Sequence, residues 1–219
     1  MRRGESIKSS LQHLVYFPEE IKQNYKTIVP LHGRGADAYD LIPLVESLGF
    51  EMLVVAPRAP RLFEGGGGYA WYDFSSEGIP EPRSFGNSLN FLQEFLIQIR
   101  KGYPVDPTGM ILLGFSQGAV MSYAVGLLDP SKVRGIVALS GYIPTRSELH
   151  INWDKLKGLR VFISHGTFDE LIPIKLGEES AELLNNSGAS VTFREYTMGH
   201  QVTEEVLRDL TTWMRETLG

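Results

Sequence analysis

Short runs of apolar residues alternate with longer amphipathic segments along most of this chain, and this alternation constrains the fold more than any other feature. Most of the runs are continuous rather than alternately apolar and polar, which is typical of strands covered on both faces. They lie at 11–17, 27–31, 52–56, 110–113, 135–140, 160–164 and 191–196. Segments with helical periodicity lie between them, at 38–48, 87–100, 117–128, 174–186 and 203–218. Strands that alternate with helices predict βαβ units, and therefore an α/β protein with a mostly parallel central sheet and helices on both faces.

Composition excludes several classes of protein. The 219 residues show no linker, charge block or internal repeat, so we predict a single domain over residues 1–219. Because cysteine is absent, a disulfide scaffold, a cysteine-ligated metal site and a cysteine nucleophile are excluded. A net charge of −5 argues against nucleic acid as the main partner. No apolar stretch is long enough for a signal peptide or a membrane span, and we expect a cytoplasmic protein.

The motif Gly114-Phe115-Ser116-Gln117-Gly118 lies between a predicted strand and a predicted helix. In this context the G-x-S-x-G pattern is typical of a nucleophilic serine on a tight turn, with its hydroxyl raised above the sheet. The flanking glycines leave space for the chain to fold back, and the helix N-terminus favours negative charge at the serine. The alternative is a glycine-rich turn with a serine helix cap. We interpret Ser116 as a nucleophile.

A serine nucleophile needs a base that takes its proton, and the base needs a group that orients it. In sites of this type the acid and then the histidine follow the serine along the chain. Asp169 comes just after a predicted strand, and His200 is the only histidine beyond it. This order selects Ser116, Asp169 and His200 as a catalytic triad. We expect His165, which precedes Gly166, to hydrogen-bond the backbone instead.

Attack on a carbonyl produces an oxyanion that needs two positioned N–H donors. One is expected from the backbone of Gln117, the residue after the nucleophile. The other is assigned to the backbone N–H of Arg34, in the glycine-containing loop after strand 27–31, with His32 holding that loop. The Arg34 side chain has two interpretations, a solvated charge or a contact with an acidic group of the substrate.

Residues 62–85 form a long segment without clear periodicity, and such segments are usually functional or mobile. Phe63, Trp71 and Tyr72 lie in it, together with four consecutive glycines. On a loop above the strand ends these aromatic side chains could line an acyl pocket. Equally, Trp71 and Tyr72 could pack the loop onto the core. Since 141–158 holds no long insertion, no large cap domain is predicted.

Taken together, these residues resemble the phospholipase/carboxylesterase family of α/β hydrolases, which includes acyl-protein thioesterases and bacterial carboxylesterases. The matching motifs are Leu31-His32-Gly33 with Gly35, Ala70-Trp71-Tyr72-Asp73, Gly114-Phe115-Ser116-Gln117-Gly118, Leu139-Ser140-Gly141, His165-Gly166 with Asp169 and Pro173, and Gly199-His200. The resemblance implies the α/β-hydrolase fold, Ser116 as nucleophile, His200 as base, Asp169 as its orienter, and Arg34 and Gln117 as oxyanion donors. It also implies that no cofactor or metal is needed and that a homodimer is a common assembly.

These observations predict a serine hydrolase that cleaves carboxylic esters of small to medium acyl chains, and thioesters by the same route, through an acyl-enzyme. Arg34 departs from the apolar residue that protein thioesterases have in this loop, which argues against a long lipid chain. The alternatives are a lysophospholipase or acyl-protein thioesterase, a dienelactone-type hydrolase, and a non-catalytic binding protein on this scaffold. The expected partner is a small-molecule ester or thioester.

Overall fold

The computed structural model describes residues 1–76 and 78–219. Twelve strands and five helices are assigned within these residues. The strands are β1 Arg2–Arg3, β2 His13–Phe17, β3 Tyr25–Leu31, β4 Leu53–Pro57, β5 Arg61–Leu62, β6 Tyr69–Ala70, β7 Phe74–Ser76, β8 Ile79–Pro80, β9 Val105–Phe115, β10 Gly135–Leu139, β11 Arg160–Gly166 and β12 Ser190–Tyr196. The helices are α1 Ile42–Ser47, α2 Pro82–Gly102, α3 Gln117–Leu128, α4 Ile174–Asn186 and α5 Glu204–Leu218.

Eight strands form one central sheet in the order β1-β2-β4-β3-β9-β10-β11-β12. From β4 to β12 every neighbouring pair is parallel, whereas β2 is antiparallel to both β1 and β4. The predicted mostly parallel sheet is therefore confirmed. Its parallel strands all end at one edge, where ligands bind in sheets of this kind.

Helices cover both faces of the sheet, because successive side chains of a strand point to opposite faces. In β9, Met110 and Leu112 pack with side chains of α2 and α3. Ile111 and Leu113, which alternate with them, pack with side chains of α1 and α5. Side chains of α4 join α3 against β10 and β11. This two-sided burial explains why the strand sequences are continuously apolar rather than alternating.

Helices α3 and α4 coincide with the predictions at 117–128 and 174–186. Helix α2 begins five residues before the predicted start at 87, at Pro82. The Glu81 carboxylate caps it by accepting hydrogen bonds from the backbone N–H groups of Arg83 and Ser84, at 3.0 and 2.7 Å. Proline is favoured in the first turn because its missing N–H would be unpaired there. Helix α1 is shorter than the predicted 38–48.

The segment at 62–85 has no clear periodicity in the sequence, but its described residues form regular structure. It contains the two-stranded pairs β5–β6 and β7–β8 and the start of α2. Tyr69 of β6 is tied to the loop after β3, because Gly35 N–H donates to the Tyr69 carbonyl and Tyr69 N–H to the Ala36 carbonyl, both at 2.8 Å. The hairpin and that loop are therefore connected.

Residues 140–159 contain no cap, and their only regular element is a single 3-10 turn at Trp153–Lys155. The carboxyl edge of the sheet is therefore not covered by an inserted domain at this position. Within residues 1–76 and 78–219, no helix combines the length and the apolar character needed to cross a membrane.

Candidate active site

Ser116 lies at the turn between β9 and α3, in a backbone conformation with φ 54° and ψ −120°. Positive φ is unusual and strained for a residue other than glycine, and such strain is typical of functional sites. A Cβ at Gly114 would overlap the carbonyl of Gly118, and a Cβ at Gly118 would overlap the carbonyl of Leu31. The Ser116 N–H donates to the Leu139 carbonyl at 2.9 Å, which fixes the turn to the end of β10.

Asp169 lies in the turn after β11, and its carboxylate is completely buried. Its Oδ1 accepts hydrogen bonds from the backbone N–H groups of Leu171 and Ile172, at 3.0 and 2.9 Å. Its Oδ2 lies 2.7 Å from Nδ1 of His200. With one oxygen held by the backbone, the other is presented to the histidine, which is the arrangement needed to hold an imidazole in one tautomer.

His200 follows β12 and lies over the serine turn. Its ring centroid is 4.9 Å from that of Phe115, the residue before Ser116. The chain at Met198 is packed so closely on β11 that a Cβ at Gly166 would overlap the Met198 carbonyl. The His200 side chain keeps 13% of its surface exposed, whereas Asp169 keeps none. The three residues selected from the sequence thus come from three strand ends at one edge of the sheet.

A second histidine faces the same carboxylate. His165 is fully buried, and its Nε2 lies 2.8 Å from the Ile172 carbonyl and 3.6 Å from Oδ2 of Asp169. Nε2 therefore carries the proton, while Nδ1 faces Gly177, where a Cβ would lie 2.6 Å away. Burial lowers the pKa of His165, which keeps the ring neutral. The expected hydrogen bond from His165 to the backbone is confirmed. Its proximity to Asp169 could not be predicted, because a histidine before a glycine at a strand end does not indicate which side chains lie beside it.

The loop after β3 lies against the serine turn, since a Cβ on Gly33 would be 3.6 Å from the Cβ of Ser116. His32 holds this loop as predicted, with Nδ1 2.7 Å from the Gly33 carbonyl and Nε2 accepting from Ala59 N–H at 3.0 Å. Within the described part of the chain, neither the backbone N–H of Arg34 nor that of Gln117 forms a hydrogen bond. These are the two donors expected for an oxyanion.

The aromatic residues of the 62–85 segment take different positions. Trp71 and Tyr72 are 0% and 1% exposed, so their burial favours the packing role over a pocket-lining role. The Gln117 side chain holds both: Oε1 accepts from Trp71 N–H at 2.8 Å, and Nε2 donates to the Tyr72 carbonyl at 2.6 Å. Phe63 is partly exposed and lies under the Arg34 guanidinium, 4.6 Å from its ring centroid.

A model of the family described as phospholipase/carboxylesterase matches residues 17–218, nearly the whole chain. The chain belongs to this family. Acyl-protein thioesterase 1 of Candida albicans is 30% identical over 203 residues, which cover 84% of this chain and 88% of that protein. Acyl-protein thioesterase 1 of Saccharomyces cerevisiae is 33% identical over 178 residues, covering 75% of this chain and 77% of that protein.

Solved structures show the same family likeness. The crystal structure of the Bacillus cereus carboxylesterase superposes with a TM-score of 0.84 at 26% identity and covers 94% of both chains. The predicted α/β-hydrolase fold is therefore confirmed, and this member of the phospholipase/carboxylesterase family is a carboxylesterase-type hydrolase. Among the described residues, no group of three or more histidine, aspartate or glutamate side chains could hold a metal ion.

Proposed function

We propose that this protein hydrolyses carboxylic esters of small to medium acyl chains, with Ser116 as nucleophile, His200 as base and Asp169 as its orienter. The observation that supports this most is the buried Asp169 carboxylate 2.7 Å from Nδ1 of His200, whose ring packs against Phe115, the residue before Ser116 in its strained turn. The N–H groups of Arg34 and Gln117, which form no hydrogen bond within residues 1–76 and 78–219, add the two donors that acyl transfer requires.

The mechanism follows from these positions. As Ser116 Oγ attacks the ester carbonyl, Nε2 of His200 takes the hydroxyl proton, and Asp169 stabilises the imidazolium through Nδ1. The N–H groups of Arg34 and Gln117 stabilise the tetrahedral oxyanion. His200 then gives the proton to the oxygen of the leaving alcohol. The alcohol departs, and the acyl group stays on Ser116. A water molecule deprotonated by His200 hydrolyses this acyl-enzyme and restores the free serine.

A thioester substrate is the second candidate, and the relatives named acyl-protein thioesterase 1 favour it. The same steps apply, with a thiol as the leaving group. The exposed cation of Arg34 next to the proposed oxyanion hole argues against a long lipid chain running over this loop. We therefore place the substrates among shorter acyl esters and thioesters.

The decisive experiment compares labelling by a fluorophosphonate probe with hydrolysis of p-nitrophenyl butyrate. Ser116→Ala should abolish both, because the proposed triad would then lack its nucleophile. Ser140→Ala is the matched control: Ser140 also has positive φ, 51°, at the neighbouring strand end, but it is 0% exposed. The Ser140 variant should still be labelled. If Ser116→Ala is still labelled and still turns over the ester, the proposed nucleophile is wrong.

Asp169→Asn tests the orienting role in the same assay. An amide can still accept the Leu171 and Ile172 N–H bonds through its oxygen, so its NH₂ group would face His200. His200 would then hold its proton on Nε2 and could not act as base. Turnover should fall by about 10⁴-fold, with the fold retained by circular dichroism. Unchanged turnover would show that Asp169 does not orient the base.

A further inference from the structure

We propose that the Arg34 side chain forms a subsite that binds an anionic group of the substrate, a carboxylate or a phosphate. The proposal rests on the proposed function, because it assumes that the ester carbonyl is held at Ser116. It predicts that the substrate carries an anionic group as well as the ester, a property that the triad alone does not require.

The subsite lies next to the reacting carbonyl because of chain connectivity. Gly33 packs against Ser116, and the next residue supplies both the proposed oxyanion N–H and the arginine side chain. A substrate whose carbonyl oxygen accepts from the Arg34 backbone therefore passes the base of that side chain. The arginine side chain therefore starts from the residue that carries the proposed oxyanion donor.

Two aromatic rings hold the guanidinium. Its Cζ lies 4.6 Å from the ring centroid of Phe63 and 5.5 Å from that of Phe74. Phe74 itself packs edge-on against the buried Tyr72 ring at 5.4 Å, so this ring is anchored to the core. Phe63 packs against Gly35, where a Cβ would lie 3.3 Å from the ring. Cation–π contacts of this kind limit the positions of the side chain without using its N–H groups.

The charge of Arg34 is available to a ligand. The residue is exposed, and it forms no salt bridge with any residue in 1–76 or 78–219. Arg61 on the neighbouring hairpin differs, because its guanidinium is paired with the Asp73 carboxylate. A guanidinium that stacks on aromatic faces keeps its planar edge of N–H donors free, and that edge matches carboxylate and phosphate oxygens.

The test uses three p-nitrophenyl esters of equal acyl length, which end in a methyl group, a carboxylate or a phosphonate. The readout is the ratio of kcat/KM for each anionic ester to that for the neutral ester, measured on one preparation. Any disturbance of the oxyanion hole lowers all rates and cancels in this ratio. A variant that cleaves the neutral ester is also shown to be folded.

In Arg34→Met the ratio should fall roughly five- to tenfold, because the charge is lost while the length is kept. Arg34→Lys should recover part of it, and added salt should lower the wild-type ratio. Arg61→Met, which removes an equal charge from the same rim, should change the ratio by less than about twofold. The anionic ester with the larger loss identifies the preferred group.

An unchanged ratio in Arg34→Met, with all three esters still cleaved, would overturn the subsite and leave ester hydrolysis intact. An equal shift in Arg61→Met would also overturn it, since it would show a general field rather than a binding site. If the wild-type protein cleaves none of the three esters, the proposed function itself fails.

Discussion

The tight turn around Ser116 requires glycine at positions 114 and 118, where there is no space for a Cβ. A Cβ at Gly114 or at Gly118 would overlap a backbone carbonyl, and carbonyl oxygens in a sheet and a helix cannot move aside as side chains can. The close approach of α3 to the end of β3 follows directly. It brings the serine turn against the loop that carries Arg34.

Gly118→Ala should therefore lower the free energy of unfolding by about 3 kcal/mol or more, because the new methyl group would overlap the Leu31 carbonyl. Urea denaturation measures this. Gly86→Ala is the matched control, since Gly86 lies within α2 and a Cβ there meets nothing within 4 Å. It should stabilise the protein by about 0.5–1 kcal/mol. Equal stability of the two variants would contradict this account of the turn.

Single residues differ in how far the sequence predicts them. The candidate triad of Ser116, Asp169 and His200 could be proposed from chain order, because the carboxyl ends of parallel strands meet at one edge of such a sheet. Trp71 and Tyr72 could not be assigned from sequence, since aromatic residues on a loop have the same pattern whether they are buried or exposed. Their burial depends on Gln117, which is distant in the sequence.

Helix α3 does more than follow the proposed nucleophile, because its first residue, Gln117, ties the segment after β6 to the helix. The Gln117 side chain is 3% exposed and pairs with one N–H and one carbonyl of the backbone at Trp71 and Tyr72. These backbone groups lie among buried side chains, where an unpaired polar group is costly.

Gln117→Met keeps the side-chain length but removes both bonds, so we expect a loss of about 2–4 kcal/mol in the free energy of unfolding. Gln201→Met is the matched control, because Gln201 is exposed and should change stability by less than about 0.5 kcal/mol. Chemical denaturation of both variants gives the comparison. A Gln117 variant as stable as the control would show that water replaces the lost partners.

The ends of elements were less predictable than their existence. The start of α2 depends on the Glu81 carboxylate and on Pro82, which lie before the first apolar repeat of the helix. Strand β9 begins at Val105 rather than 110, because backbone pairing with Tyr25 extends it into a polar sequence. Apolar periodicity indicates what is buried, and it cannot indicate pairing or capping beyond the buried part.

At the scale of the whole molecule, three histidines among the described residues are buried, and burial favours their neutral form. His13, His32 and His165 are 7%, 1% and 0% exposed, and burial is the main cause that lowers the pKa of each below 6.5. Between the lowered pKa values and 6.5 the unfolded chain binds more protons than the folded protein. The resulting stability is complete above pH 6.5 and is lost as the pH falls below it.

Urea denaturation at pH 7.5, 6.5 and 5.5 should therefore show a falling free energy of unfolding, in a range above the titration of ordinary carboxylates. His13→Asn removes one of the three groups and should reduce the slope with pH, whatever its effect at pH 7.5. A constant or rising free energy of unfolding toward pH 5.5 would contradict the neutral burial of these rings.

The general architecture could be predicted, while the order of the strands could not. Continuous apolar runs that alternate with helices indicate a parallel sheet covered on both faces. Whether β2 joins it antiparallel, beside β4 rather than β3, depends on backbone pairing that no side-chain pattern records.

The two hydrogen bonds between Tyr69 and the loop at Gly35 and Ala36 make the β5–β6 hairpin and the proposed oxyanion donor one mechanical unit. In the proposed mechanism, a substrate that pushes the hairpin outward also pulls the Arg34 N–H away from the developing charge. A displacement of the hairpin would therefore weaken oxyanion stabilisation and slow the chemical step. Poorly fitting acyl groups will lower kcat as well as raise KM, so the enzyme would select its substrates partly through the speed of the chemical step.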